Sequence, residues 1–97
     1  MIRRDDALAI LRRSKGGLEE RYGITRMGLF GSVARDQSSE GSDIDVVVQM
    51  LNPNLFTLVH VKEELEEVFH EPVDVIHYRD RMNVFLKSRI DQEAIYV

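Results

Sequence analysis

The chain has 97 residues, a formal net charge of −4 and no cysteine. This length fits one domain that folds without disulfides or thiolate metal sites, which is compatible with a reducing cytoplasm. The negative charge argues against a protein that mainly binds nucleic-acid phosphates, and no apolar run approaches the ~20 residues that span a bilayer. We therefore expect residues 1–97 to form a single cytoplasmic domain without membrane contact or direct nucleic-acid binding.

The N-terminal part of the chain predicts a helix, a strand, a short helix and a loop. Leucines at helical spacing indicate a helix over residues 5–22, and Gly16-Gly17 predicts either a kink or a division into two short helices. The strand, the short helix and the polar surface loop are then expected at residues 24–30, 31–35 and 36–42.

The C-terminal part predicts two further strand–helix pairs and a last short strand. Asn52 and Pro53 are the expected N-cap and first residue of a helix that ends near Phe69. The strands are expected at residues 43–50, 72–78 and 94–97, and the last helix at about 80–93. This order predicts an α+β fold, with a small mixed β-sheet and helices packed mainly on one face.

Two aspartates stand at the entrance to the second predicted strand. Because side chains alternate along a strand, Asp43 and Asp45 face away from the apolar residues that alternate with them. Asp74 lies between Val73 and Val75 in the next predicted strand and also points away from its apolar neighbours. If the two strands are adjacent, the three carboxylates converge on one place.

Such a cluster of carboxylates needs a cation. Two unit charges at ~4 Å repel by about 4 kcal/mol at an effective dielectric constant of 20, which is a large part of the stability of a small domain. Oxygen ligands favour Mg²⁺ or Mn²⁺ over zinc. Mg²⁺ held by carboxylates is typical of phosphoryl and nucleotidyl transfer.

A phosphate cradle is predicted where the first strand ends. Gly31 has no Cβ, so the backbone there can approach a phosphate closely, and Ser32 opens a short helix whose free N–H groups favour an anion. Arg35, one turn later, is a further candidate ligand. The polar loop would then return Asp43 and Asp45 to a position beside this cradle.

Each of these residues has an ordinary explanation when it is taken alone. Ser32 could be a plain N-cap, Asp74 an edge-strand charge, and Arg35 a salt-bridged surface residue. A D-x-D pair is common in turns and caps, and the spacing of the histidines assigns none of them to a metal. The order of loop and strands makes all the candidates compatible with one site, and we therefore favour the joint interpretation.

The stretch GLFGSVARDQSSEGSDIDVVV at residues 28–48 contains a G-S pair, ten intervening residues and a D-x-D pair. It resembles the signature of the DNA polymerase β-like nucleotidyltransferases, and nearly the whole chain resembles their stand-alone minimal branch (MNT). The resemblance implies the polymerase β-like palm fold, Mg²⁺ or Mn²⁺ as cofactor, and ATP as substrate. It assigns phosphate binding to Gly31 and Ser32, and metal binding to Asp43 and Asp45. It assigns to Asp74 the role of the third carboxylate, which completes the metal site and also accepts a proton.

Minimal proteins of this kind are often antitoxins that act on a HEPN-domain ribonuclease toxin. The resemblance therefore implies a Mg²⁺-dependent enzyme that transfers AMP from ATP to a tyrosine of a cognate HEPN toxin. Two other functions stay open: an antitoxin that masks its toxin by contact alone, and a nucleotide-binding subunit of a larger transferase. One departure is visible, because many members have glycine where this chain has Asp36. This aspartate adds negative charge near the cradle.

Overall fold

The computed structural model describes residues 2–39 and 41–97. The described helices are α1, α2, α3 and α4, at Arg4–Tyr22, Gly31–Ala34, Leu55–Phe69 and Val84–Glu93. The described strands are β1, β2, β3 and β4, at Ile24–Phe30, Ile44–Met50, Val73–His77 and Ile95–Tyr96. Among these residues, no helix is long and apolar enough to cross a membrane.

The four strands form one mixed sheet in the order β3-β2-β1-β4. β1 pairs with β2 and with β4 in antiparallel fashion, whereas β2 and β3 run parallel. A parallel neighbour requires a crossover connection, which α3 supplies between β2 and β3. The parallel pairing aligns the starts of β2 and β3, and this places the acidic ends of both strands at one edge of the molecule.

The sheet carries a large hydrophobic core on one face and a small one on the other. Residues of α1, α2 and α3 pack on the first face against Ile44, Val46 and Val48 of β2. On the second face, Ile90 of α4 packs against Val47 and the cross-sheet residue Phe30. The predicted α+β fold with helices mainly on one face is therefore confirmed. The second core was not predicted.

The predicted division of the first helix is wrong, and so are the predicted cap and first residue of the third helix. Helix α1 continues through Gly16-Gly17, because its buried leucines pack on the sheet and outweigh the ~1 kcal/mol cost of each glycine. Helix α3 begins at Leu55, since the side chain of Asn54, rather than that of Asn52, caps it by accepting from Phe56 N at 2.8 Å. Pro53 consequently lies before the helix.

The last helix also begins later than predicted, at Val84 instead of about residue 80. The Asn83 side chain accepts a hydrogen bond from Leu86 N at 3.0 Å and so satisfies a backbone donor of the first turn. The predicted end of this helix at Glu93 agrees with the structure.

Candidate active site

The three predicted carboxylates lie at the start of the parallel strand pair. Asp45 of β2 and Asp74 of β3 are direct partners in the register, so they are neighbours across adjacent strands. Asp43 lies just before β2. Asp45 is half-buried, whereas Asp43 and Asp74 are exposed. The strand alternation expected from the sequence therefore brings the acids together on the face opposite the main core.

Electrostatic repulsion within this group acts on Asp45. Its pKa is raised from 3.8 to about 6, first by burial, which disfavours the charged form, and then by the charges of Asp74 and Asp43. The arginines Arg89 and Arg35 act in the opposite direction. Asp45 is thus the carboxylate on which the charges of the neighbouring acids and arginines act.

Gly31 lies directly against Asp45. Its φ of 78° is in the left-handed region, and a Cβ added there would overlap the Asp45 carboxylate, with only 3.0 Å to its Cγ. Gly31 is therefore required both by its backbone conformation and by the space that the acid occupies. The first strand delivers this glycine because Phe30, its last residue, is the register partner of Asp45.

Ser32 follows Gly31 in the one-turn helix α2 and is partly exposed on the molecule's surface. Its backbone carbonyl accepts a hydrogen bond from Gln37 N at 2.8 Å, which closes the turn after α2. Because α2 has only four residues, its contribution to anion binding would come from individual N–H groups and the Ser32 hydroxyl. The predicted phosphate-binding pair thus lies beside the acids.

Arg35 is directed toward α4. Its Nη1 lies 2.5 Å from Glu93 Oε1 and its Nε donates to Gln37 Oε1 at 3.1 Å. Phosphate binding by Arg35 stays a prediction. Arg89 of α4 is a basic residue of this region that sequence reasoning missed, although it acts on Asp45 more strongly than Arg35 does.

A lysine and a glutamate of α3 support the start of β3. Glu66 Oε2 accepts from Val73 N at 3.0 Å and from Lys62 Nζ at 2.8 Å. These two bonds lower the pKa of Glu66, while the bond to Glu66 and the weaker charges of Asp74 and Asp43 raise the pKa of Lys62. This pair therefore holds the strand that carries Asp74 and adds a positive charge near the acids.

The loop between α2 and β2 is fastened to the start of α1. Asp36 has a φ of 58° in the left-handed region, and its Oδ1 accepts from Arg4 N at 3.4 Å. Ser38 Oγ donates to Ile2 O at 2.9 Å. The positive φ of Asp36 gives a physical reason why many members of the resembled family have glycine at this position. The side chain of Asp36 is directed toward α1.

The donor chemistry of the acids fits a divalent cation. Carboxylate oxygens are the hard ligands that Mg²⁺ and Mn²⁺ prefer, and burial together with the charges of Asp74 and Asp43 raises the pKa of Asp45. No cluster of three or more potential ligands is preassembled for a metal ion within residues 2–39 and 41–97. The fit therefore rests on the type and neighbourhood of the acids, and the roles of Asp43, Asp45 and Asp74 stay predictions.

Comparison with known sequences identifies several relatives. A provisionally named protein adenylyltransferase of Methanocaldococcus jannaschii is 33% identical over 89 residues, which cover 91% of each chain. A second provisional adenylyltransferase of that organism is 42% identical over 78 residues, covering 79% of this chain and 83% of the relative. The protein adenylyltransferase MntA of Thermococcus cleftensis is 29% identical over 98 residues, covering 100% and 98% of the chains.

Comparison with solved structures gives the same fold. A protein provisionally described as a minimal nucleotidyltransferase has a TM-score of 0.78 and is 29% identical, with 97% of this chain and 95% of the other chain covered. A toxin–antitoxin structure with AMP-PNP has a TM-score of 0.71 at 17% identity, covering 98% and 72%. The family described as "Polymerase beta, Nucleotidyltransferase" matches residues 15–97. The chain therefore belongs to the polymerase β nucleotidyltransferases, a family of enzymes, as its G-S and D-x-D motifs predicted.

Proposed function

We propose that this protein is an antitoxin that transfers AMP from ATP to a tyrosine hydroxyl of a cognate HEPN-type toxin, with Mg²⁺ or Mn²⁺ as cofactor. The observation that carries the proposal is the direct pairing of Asp45 with Asp74 beside Gly31, which has no side chain to fill the space at the Asp45 carboxylate. The absence of cysteine fits action in a reducing cytoplasm.

The names of the relatives support AMP as the transferred group and a protein as the acceptor. A relative that aligns with the whole chain is named protein adenylyltransferase MntA. A structure with a TM-score of 0.61 is described as a tri-AMPylated Shewanella oneidensis HEPN toxin in complex with an MNT antitoxin. At 16% identity this neighbour supports the fold, so the HEPN partner and the tyrosine acceptor belong to the proposal.

The chain's own residues have separate tasks in this reaction. Asp43, Asp45 and Asp74 would hold the divalent cation, which supplies positive charge against the acids and the substrate phosphates when it is bound. The Gly31 backbone N–H and the Ser32 hydroxyl would donate hydrogen bonds to phosphate oxygens at the start of α2. Positioning and charge stabilisation are the main contributions of a protein to phosphoryl-group chemistry.

The proposed transfer replaces one phosphorus–oxygen bond by another. The acceptor oxygen forms a bond to the α-phosphorus of ATP, the bond from this phosphorus to the bridging oxygen breaks, and pyrophosphate leaves. Asp74 is the group to which we assign the hydroxyl proton, since its carboxylate is exposed at the site and reaches solvent. The proton can then pass from Asp74 to water.

Transfer of radioactive label tests the proposal. The protein is incubated with Mg²⁺, α-labelled ATP and the product of the neighbouring gene as the candidate partner. We expect label on that partner, its loss with Asp45→Asn, and its retention with Glu67→Gln, which removes an exposed carboxylate of α3. Replacement of partner tyrosines by phenylalanine then identifies the acceptor. Inhibition of the partner that persists with Asp45→Asn and without label would instead establish neutralisation by contact.

A further inference from the structure

Helix α4 presents an arginine to the acidic site from the second face of the sheet. Ile90 is almost fully buried between Phe30 and Val47. Both residues flank Asp45: Phe30 is its register partner on β1, and Val47 is the next residue of β2 on the same face of the sheet. The packing of Ile90 therefore anchors the segment of α4 that carries Arg89 against the strand positions that flank Asp45.

One carboxylate of α4 connects this arginine with Arg35. Glu93 Oε1 lies 2.5 Å from Arg35 Nη1, and Glu93 Oε2 lies 3.7 Å from Arg89 Nε. Arg35 lies just after α2, three residues beyond Ser32, whereas Arg89 lies in α4, one helical turn before Glu93. The two guanidinium groups thus flank a single carboxylate at the border between the cradle and α4.

The ion pairs of Glu93 with Arg35 and Arg89 contribute little to the stability of the fold. Arg35 and Arg89 remain 38% and 55% exposed, and ion pairs with such exposure contribute only about 0–1 kcal/mol. Exposed guanidinium groups remain free to bind further oxygens, because each has five donors. A triphosphate that enters a site with three acids needs cationic partners, and planar guanidinium groups match its oxygens well.

We propose that Arg89 is a second phosphate-binding residue, which contacts the β- or γ-phosphate of the nucleotide from the side opposite Gly31 and Ser32. Glu93 is the positioning residue that holds Arg89 and Arg35 at the site before the nucleotide arrives. The proposal deepens the proposed function and rests on it, because it assigns residues to the triphosphate of the same reaction. It makes α4 part of the nucleotide-binding surface.

Nucleotide affinity, measured by calorimetry with Mg²⁺, tests the role of Arg89 without turnover. We expect Arg89→Gln to weaken binding of a non-hydrolysable ATP analogue and of inorganic triphosphate at least about tenfold, the effect of one charge-assisted hydrogen bond. Affinity for AMP should change by less than about twofold, because AMP lacks the distal phosphates. Arg12→Gln removes an exposed arginine of α1, the helix that packs on the other sheet face, and should leave all three affinities unchanged.

Glu93→Gln tests the positioning role. We expect it to weaken inorganic triphosphate binding several-fold in the parent and to have a much smaller effect when Arg89 is already replaced by glutamine. This loss of effect in a double-mutant cycle is the readout that a purely structural role would not produce. Arg89→Lys, which keeps the charge and loses the planar fork, should bind with intermediate affinity and serves as the second variant if Arg89→Gln does not fold.

The outcomes separate the two proposals. Unchanged triphosphate affinity in Arg89→Gln or Arg89→Lys, with normal binding by the parent, would refute the role of Arg89 and leave the proposed function intact. Equal weakening of AMP and triphosphate binding would also refute it, because the effect would then not come from the distal phosphates. A parent protein that binds neither the ATP analogue nor inorganic triphosphate would overturn both.

Discussion

Replacing Asp45 by asparagine should stabilise the metal-free protein at neutral pH. Asp45 has a folded-state pKa of about 6 and an ordinary value of 3.8, so the folded protein binds the proton more tightly than the unfolded chain does. Stability from this group is complete below pH 4 and is lost as the pH rises through about 6. An asparagine of similar shape carries no charge and removes this loss.

The magnitude follows from the displacement of the pKa. A change from 3.8 to about 6 corresponds to at most about 3 kcal/mol, at about 1.4 kcal/mol for each factor of ten. Because Asp45 is only half-buried, water screens a large part of this interaction. We therefore expect Asp45→Asn to raise the free energy of unfolding by about 1–2 kcal/mol above pH 7 and by little at pH 4.

Urea unfolding in EDTA, followed by circular dichroism between pH 4 and 8, measures this difference. EDTA removes adventitious cations that would stabilise only the parent. The control is Glu67→Gln, which removes an exposed carboxylate and should change the stability by less than about 0.5 kcal/mol at every pH. Equal stability of Asp45→Asn and parent above pH 7, or a difference that does not depend on pH, would show that burial and the neighbouring acids do not disfavour the charged form of Asp45.

Three further outcomes follow from the cap of α3, the glycines and the acids. Asn54→Ala should lower the free energy of unfolding by about 1 kcal/mol, whereas Asn52→Ala should change it by less than about 0.5 kcal/mol; similar urea midpoints would contradict the cap. Gly31→Ala should destabilise the protein by about 1–3 kcal/mol through strain and overlap, whereas Gly16→Ala in the exposed part of α1 should stabilise it by about 1 kcal/mol. Mg²⁺ with ATP should raise the melting temperature of the parent much more than that of Asp45→Asn, and a parent without any shift would argue against the metal site.

Local rules predicted the part of the site that lies on regular strands. The alternation of side chains was sufficient to place Asp45 and Asp74 on one face, because β2 and β3 are neighbours in parallel register. A glycine turn after β1 also followed from the local sequence, and Gly31 has a positive φ there; its close contact with the Asp45 carboxylate was not predicted, and phosphate binding by Gly31 stays a prediction. These inferences needed only the strand order and the motif.

Features that depend on tertiary packing were missed. Nothing in the sequence of α4 states which sheet face it covers, so the proximity of Arg89 to Asp45 could not be derived from spacing. The cap of α3 was assigned to Asn52 because Pro53 is favourable at a first helical position, yet the Asn54 side chain reaches the first-turn donors. Asn52 and Asn54 lie in one short loop, and either could cap a helix that begins after it. The position of α3 on the sheet determines that Asn54 is the cap.

The attachment of the loop to α1 has a consequence for local unfolding. Asp36 and Ser38 connect the loop to Arg4 and Ile2, while Ile44 N at the other end donates to Pro72 O at 3.1 Å. Fraying of the first turn of α1 therefore frees the loop that precedes the acids, and the two segments should open as one unit. Amide hydrogen exchange in the first turn of α1 would then measure how often the loop before the acids opens, although α1 lies on the opposite face of the sheet.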